Sequence, residues 1–489
     1  MRRYFIAVSL AVVLGCTLLA CTSSTPGSVS TTPPSGGNTT VPVSISIHDT
    51  PPAGVTVLRF EVLITAASLQ PSDMSQQPVN MLLQPQDVEL IHLQTESALL
   101  ANLNVPTGTY SSLSATFANP LMTIWNQSAQ TYTVGPQMCQ PMQVCKVVPT
   151  LNQMSISVNS APFPITLTAA SPVALDMHFD VNASVQGDLS VTPTVSLTQL
   201  PVPPNAPMQH MRLFGTVTAV NSPMFTLQSS FDGSMSTITT DSNTMYEFGQ
   251  SCQADNFSCI AVGQLLRVRA NELSDGTLDA TDVRLIQHPG LPSFQGTILS
   301  VNAAQNQVQV ALNFEQGPIA DNQQDTDASN AISFALQISP STTFTIDSNQ
   351  LTLPSGLSFA GIQDMMVGQS IQFQPALPLT ISGVPPNISV TVGAMSVQLE
   401  PSQITATVSA VNAQASPANF ILGTLPMLYT AAGITTIQVD TVMGTDFDNV
   451  SGISGLASGQ KVSVAGLLFN TATQPTAVAV EVRLHQGND

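Results

Sequence analysis

What most constrains this chain is an order of short motifs that occurs three times. Gly215-Thr216-Val217-Thr218-Ala219-Val220-Asn221 leads to the corner Val262-Gly263-Gln264 and then to two alternating runs, Leu265 to Ala270 and Leu278 to Leu285. The same order returns as Gly296-Thr297-Ile298-Leu299-Ser300-Val301-Asn302, Val367-Gly368-Gln369 and Val390 to Leu399. It returns again as Ala406-Thr407-Val408-Ser409-Ala410-Val411-Asn412, Ser458-Gly459-Gln460 and Ala477 to Leu484. Self-similarity at a spacing of roughly one hundred residues marks internal repetition. The period of two makes the repeats β: Val283 and Leu285 define a covered face of the last strand, Asp282 and Arg284 a wet one. A glycine before each glutamine suits a turn with positive φ. Gly215 and Gly296 suit a close crossing or a bulge, and Ala406 in the third copy shows that glycine is not indispensable there.

With 489 residues the chain is long enough for roughly three to four domains. Only 8% of residues are charged, and 10 Lys and Arg stand against 29 acids. Nucleic acid is a poor match for such a chain, because phosphate binding needs clustered cations. Neutral or cationic partners remain open.

Residues 1–20 read as an export signal, with Arg2 and Arg3 ahead of a short apolar core, Phe5 to Leu14. Leu18-Leu19-Ala20-Cys21 looks like the lipobox of bacterial lipoproteins, and Val13-Leu14-Gly15-Cys16 is a weaker match that would truncate the apolar core. The resemblance implies cleavage before Cys21, a diacylglyceryl thioether on its sulfur and an acylated amino end. Two or three chains anchor stably where one is marginal. Thr22 is not the Asp that commonly retains such proteins in the inner membrane, so an outer-membrane location is expected. Residues 21–41 form a Ser, Thr, Pro and Gly tether.

From Val41 the chain alternates, Val43, Ile45 and Ile47 against Ser44, Ser46 and His48. Further strand candidates are Val55 to Leu63, Gln86 to Leu93, Gly108 to Phe117, Tyr132 to Val134, Pro172 to Val181 and Leu189 to Leu197, with one helical turn at Ser97 to Leu103. An antiparallel sandwich over 42–199 is the simplest way to bury them. Leu200 to Pro207 carries four prolines in eight residues, so 200–209 is expected to link independently folded units. Repeats at 210–290, 291–400 and 401–489 follow. In the second, Pro375, Pro378, Pro385 and Pro386 predict an irregular loop or a covering insertion.

Residues 42–200 resemble an uncharacterised domain family common in bacterial lipoproteins and grouped with the transthyretin-like, or prealbumin-like, β-sandwiches. Val43 to Asp49 with Pro51, Asp87-Val88-Glu89-Leu90, Leu99-Leu100-Ala101, the Val105 to Tyr110 corner and Leu175 to Val181 carry the resemblance. It implies a fold and an envelope location, and brings no established catalytic residues. The repeats resemble a second uncharacterised bacterial family of small β domains, often in tandem on exported proteins, that look like compact barrels. The expected fold class is therefore all-β: a transthyretin-like antiparallel sandwich followed by three small barrel-like modules.

Four cysteines fall in two local pairs, Cys139 with Cys145 and Cys252 with Cys259, and in an exported chain these read as structural disulfides. Neither pair has redox-motif spacing or a histidine close by. Six histidines, His48, His92, His178, His210, His288 and His485, are scattered. A cation site could form if His48, Asp49, Asp87, Glu89, Asp176, His178 and Asp180 converged; otherwise His48 and His178 lie on the wet side of strands. Trp125 reads as core rather than a carbohydrate anchor. Asp232-Gly233 and Asp275-Gly276 read as hairpin turns rather than calcium loops. No hydrolase elbow, phosphate loop or metalloprotease motif occurs in the sequence. The chain is expected to be non-enzymatic, without cofactor, held to membrane lipid through Cys21, and used for binding, adhesion or structure. An envelope-assembly role, or less favourably a polysaccharide-active enzyme or accessory, is the alternative, with an envelope protein or surface polysaccharide as partner.

Overall fold

The computed structural model describes residues 40–485 apart from 51–55, 83–84, 92, 95–97, 170, 201–208, 230–234, 249–251, 253, 255, 274–276, 286–292, 317–330, 349–350, 377–379 and 385–386. The export signal, Cys21, most of the tether, nearly all of the proline linker, His92, His288 and both Asp-Gly turns lie outside the described residues.

Residues 40–200 build two sheets over one core, with a separate two-stranded hairpin, Tyr132–Val134 with Gln137–Cys139. One sheet has the order Val195–Leu200, Val173–Asp180, Thr40–Thr50, Ala98–Pro106. The other is centred on the long pair Thr56–Pro71 and Gly108–Trp125, whose edges take up five shorter strands. Phe60, Phe117 and Phe179 meet edge-on between the sheets. Two expectations change. Thr40–Thr50 runs parallel to Val173–Asp180, with Val43 opposite Val173 and Asp49 opposite Phe179, so the arrangement is not purely antiparallel. The anticipated helical turn is strand, because Ala98–Pro106 pairs along Thr40–Thr50 and that ladder outweighs local preference.

Each repeat closes a ring of five strands. In the third, Ser402–Asn412, Ala418–Gly423, Ile437–Asp448, Thr476–Leu484 and Lys461–Phe469 form a closed barrel. Numbered along the chain, the order is 1-2-3-5-4, and strands three and five are parallel. The first and second repeats have the same order, closed by the parallel pairs Met235–Thr239 with Leu278–Leu285 and Ala331–Gln337 with Asn387–Glu400. This is the Greek-key arrangement of OB-type barrels. In the second repeat Pro378, Pro385 and Pro386 lie outside the described residues; between them Thr380–Val384 pairs with Asn387–Glu400, and Pro375 is the last residue of its strand, after which the Ala376 N–H still donates to the Gly393 carbonyl at 2.7 Å.

The Gly-Gln corner has one geometry in all three rings. Gly263, Gly368 and Gly459 sit at φ of 90°, 87° and 91°. Each donates its N–H to the first strand (Val217, Ile298 or Val408), and the same residue donates back to the following glutamine's carbonyl. The glutamine Oε1 accepts from the N–H three residues earlier, at 2.7, 2.7 and 2.6 Å, and so ties the corner to the short 3₁₀ turn before it. The crossing glycines are explained as well. A Cβ on Gly215 would lie 2.0 Å from the Gln228 carbonyl oxygen, and one on Gly296 2.3 Å from that of Ala311. In the third ring Ala406 takes this place, beside Thr407, whose partner Gly423 is the last residue of the neighbouring strand.

The sandwich and the rings are not beads on a string: residues 40–489 form one compact unit. Leu58 and Trp125 of the sandwich, with Leu299, Ala311 and Met366 of the second ring, enter the core of the third. Leu467, Phe469, Val478 and Val480 of the third ring enter the core of the second.

Candidate functional site: a small junction cleft and a buried ion cluster

The register brings part of the candidate cation set onto neighbouring strands, with His48 opposite His178 and Thr50 opposite Asp180, while Glu89 and Asp180 are engaged by backbone N–H groups. Glu89 Oε1 accepts from the backbone of Phe60 (2.9 Å) and Ile91 (3.2 Å), and Asp180 caps the turn at Ala183 (2.9 Å). The side chains of His48, Asp49, Asp87 and His210 lie outside the described residues. Among the described residues no three His, Cys, Asp or Glu are grouped to hold a metal ion. His178 is not on a wet face: it and Asp176 are buried, because the third ring covers that side of the sheet and its Arg483 feels the charge of Asp176. Trp125 is buried, as core.

Both cysteine pairs are disulfides. Cys139–Cys145 braces the turn into Val144–Val147, and Cys252–Cys259 fastens a loop to the 3₁₀ turn ahead of the first Gly-Gln corner. Cys252 and Cys259 also pack on the first ring's core. Replacing this pair by serines is expected to destabilise the first ring by about 2.5 kcal/mol, the chain-entropy value for a loop of this length. Hydrogen exchange along 265–272 checks it; unchanged protection would mean that the loop closes without the bridge.

A cleft of about 90 Å³ opens where sandwich, second ring and third ring meet. That is room for about three waters, well below an ordinary ligand pocket. Thr56, Gln94, Ser370, Gln403 and Thr405 face it with Tyr429, the single titratable side chain of the lining, whose phenol burial pushes far up. Thr405 donates to Gln94 Oε1 at 2.6 Å and is in hydrogen-bond contact with Ser463, which meets His485 Nε2 at 2.8 Å. This lining can hold water or a small neutral polar group, and its hydroxyls and amides are not equipped for proton transfer at neutral pH.

The densest electrostatics lie between the first and second rings. Arg267 and Arg284 stand directly opposite each other on neighbouring strands of the first ring, a like-charge pair that is costly alone. The second ring compensates it. Glu400 accepts from both terminal nitrogens of Arg284 at 3.2 Å, and Asp347 Oδ2 contacts the same Nη1. Arg267 lies 3.5 Å from Asp347 and 3.7 Å from Glu400. Asp282 pairs across the strand with Arg269, and its carboxyl is raised by burial, against the pull of the arginines. The face expected to be wet, Asp282 and Arg284, is thus buried by a neighbouring domain. Sequence reasoning missed Asp347 and Glu400, which carry no local motif. The usable signal was two cross-strand arginines in a chain with 10 Lys and Arg in all.

Residues 40–193 match the model of one family, described as a domain of unknown function (DUF4382), and residues 214–284 match that of another, described as a domain of unknown function (DUF5666). The chain thus carries two distinct uncharacterised domains in an all-β architecture with barrel-like rings. No curated protein matches. Among solved structures, Drosophila Unr CSD456 shares 10% identity at a TM-score of 0.13, over 56% of this chain and 98% of that one. A multidomain protein with nucleic acid binding domains from Streptococcus pneumoniae shares 10% at 0.11, over 55% and 73%. Scores so low carry no argument.

Proposed function

We propose that this chain is a lipid-anchored protein of the bacterial cell envelope, a non-enzymatic, rigid scaffold or binding body.

 The sandwich is read as transthyretin-like, and the anchor as acylated Cys21. The observation that carries the reading is the sharing of cores: side chains of the sandwich and the second ring complete the third, and those of the third complete the second. Such interlocking favours a body that keeps its shape over modules that search independently on flexible links. An acidic chain with neutral hydroxyl and amide groups in its cleft suits a neutral or cationic envelope partner better than an anionic one.

Two measurements test this. Intact mass of the mature amino end should show an acylated Cys21; a chain that begins elsewhere without acyl groups would overturn the anchor. Rigidity is read from spin labels placed by Met74→Cys on the sandwich and Met443→Cys on the third ring, both strongly exposed positions. One narrow distance distribution is expected, and a broad one would sink the scaffold.

A further inference from the structure

The joint between the first and second rings buries more acid than a simple ion pair needs. Asp347 and Glu400 both reach Arg284 Nη1, so that two carboxyl groups are gathered on one guanidinium nitrogen. Two carboxyl groups held on one nitrogen cannot both ionise cheaply, because each charge opposes the other and burial keeps bulk solvent from screening them. Both side chains are 1% exposed. The charged groups that face the pair are Arg284 and Asp282 from one strand of the first ring and Arg267 from the next, where Arg269 in turn stands opposite Asp282.

We propose that Asp347 and Glu400 share a proton across this joint, which makes the docking of the first ring on the second sensitive to pH in the neutral range. Arg284 and Arg267 hold one negative charge well; a second is opposed by burial and by its neighbour. Desolvation, the largest effect, pushes Glu400 up to about 7, and Asp347 pushes the same way while the arginines pull it down. The sign follows from linkage. A carboxyl raised in the docked state contributes stability that is fully present below its ordinary value, near 4.5, and is lost as pH rises through about 7. The joint is therefore tightest in mild acid and loosens towards alkaline pH, the reverse of an ordinary salt bridge. Asp282, raised by burial, adds to the same trend.

The test is native-state hydrogen exchange along 278–285 between pH 5 and pH 8, corrected for intrinsic exchange. Linkage gives an opening equilibrium that rises roughly 10- to 100-fold over this range in the wild type. Glu400→Gln keeps a hydrogen-bonding side chain that cannot ionise, and its opening should rise less steeply with pH than that of the wild type, the remainder coming from Asp282. A wild type whose opening is flat with pH, or a Glu400→Gln variant as steep as wild type, would overturn the proposal. Should that variant fail to fold, infrared difference spectra of the wild type decide: a protonated carboxyl band lost as pH rises through 7 supports the shared proton, and the absence of such a band rejects it.

Discussion

Replacing Arg284 by methionine is expected to cost about 3–5 kcal/mol at the joint between the first and second rings, the penalty for leaving buried charge without its partner. Arg284 is the group that both carboxyls share, and it makes two bonds to Glu400 in a fork geometry that lysine cannot reproduce. Arg284→Lys should therefore fall between the wild type and the methionine variant. Adding Asp347→Asn and Glu400→Gln to Arg284→Met should recover much of the loss, because neutral groups of similar volume carry no desolvation cost of that size. Hydrogen exchange along 265–272 and 278–285 reads the effect locally, which suits a chain of this size, where a single global transition is not expected. If Arg284→Met matched the wild type within a few tenths of a kcal/mol, the cluster would be ornamental to the joint.

The second large effect is expected at the Gly-Gln corners, where one substitution separates backbone strain from packing. Gly459→Ala meets open space at φ 91°, so its cost is that of a left-handed alanine, about 1–2 kcal/mol. Gly368→Ala meets the same backbone cost at φ 87°, and its new Cβ would lie 2.2 Å from the ring of Tyr429. Overpacking adds about 1–3 kcal/mol, for a total of about 2–5 kcal/mol. Tyr429 belongs to the third ring, is fully buried and donates to the Gly368 carbonyl at 3.4 Å, so the loss should spread from the second ring into Met427–Thr430. Thermal denaturation with exchange mapping compares the two variants. Equal losses would mean that Tyr429 moves aside freely and that the contact between these rings is soft.

The corners were legible from sequence because their causes are local. A glycine at positive φ and a glutamine that caps a turn three residues earlier need only their own neighbours, and the order of motifs then repeats with them. The cysteine pairs, six and seven residues apart, were legible for the same reason. The helical turn at Ser97 to Leu103 was misread because the partner strand that fixes it, Thr40–Thr50, lies far back in the chain. The wet face given to Asp282 and Arg284 failed likewise: alternation says that two faces differ, and a neighbouring domain decides which of them meets water.

By itself the sequence determined the β period, the three-fold order of strands and corners, the two bridges and the acidic, weakly charged character of the chain, since each depends on residues close together or on simple sums. Tertiary structure alone decided that the second and third rings share cores, that Asp347 and Glu400 meet Arg284 across 63 and 116 positions of chain, and that the junction cleft is lined by hydroxyls and amides. Contacts of that separation are set by how finished surfaces fit and how much water they expel, and neither quantity is written in any local pattern of residues.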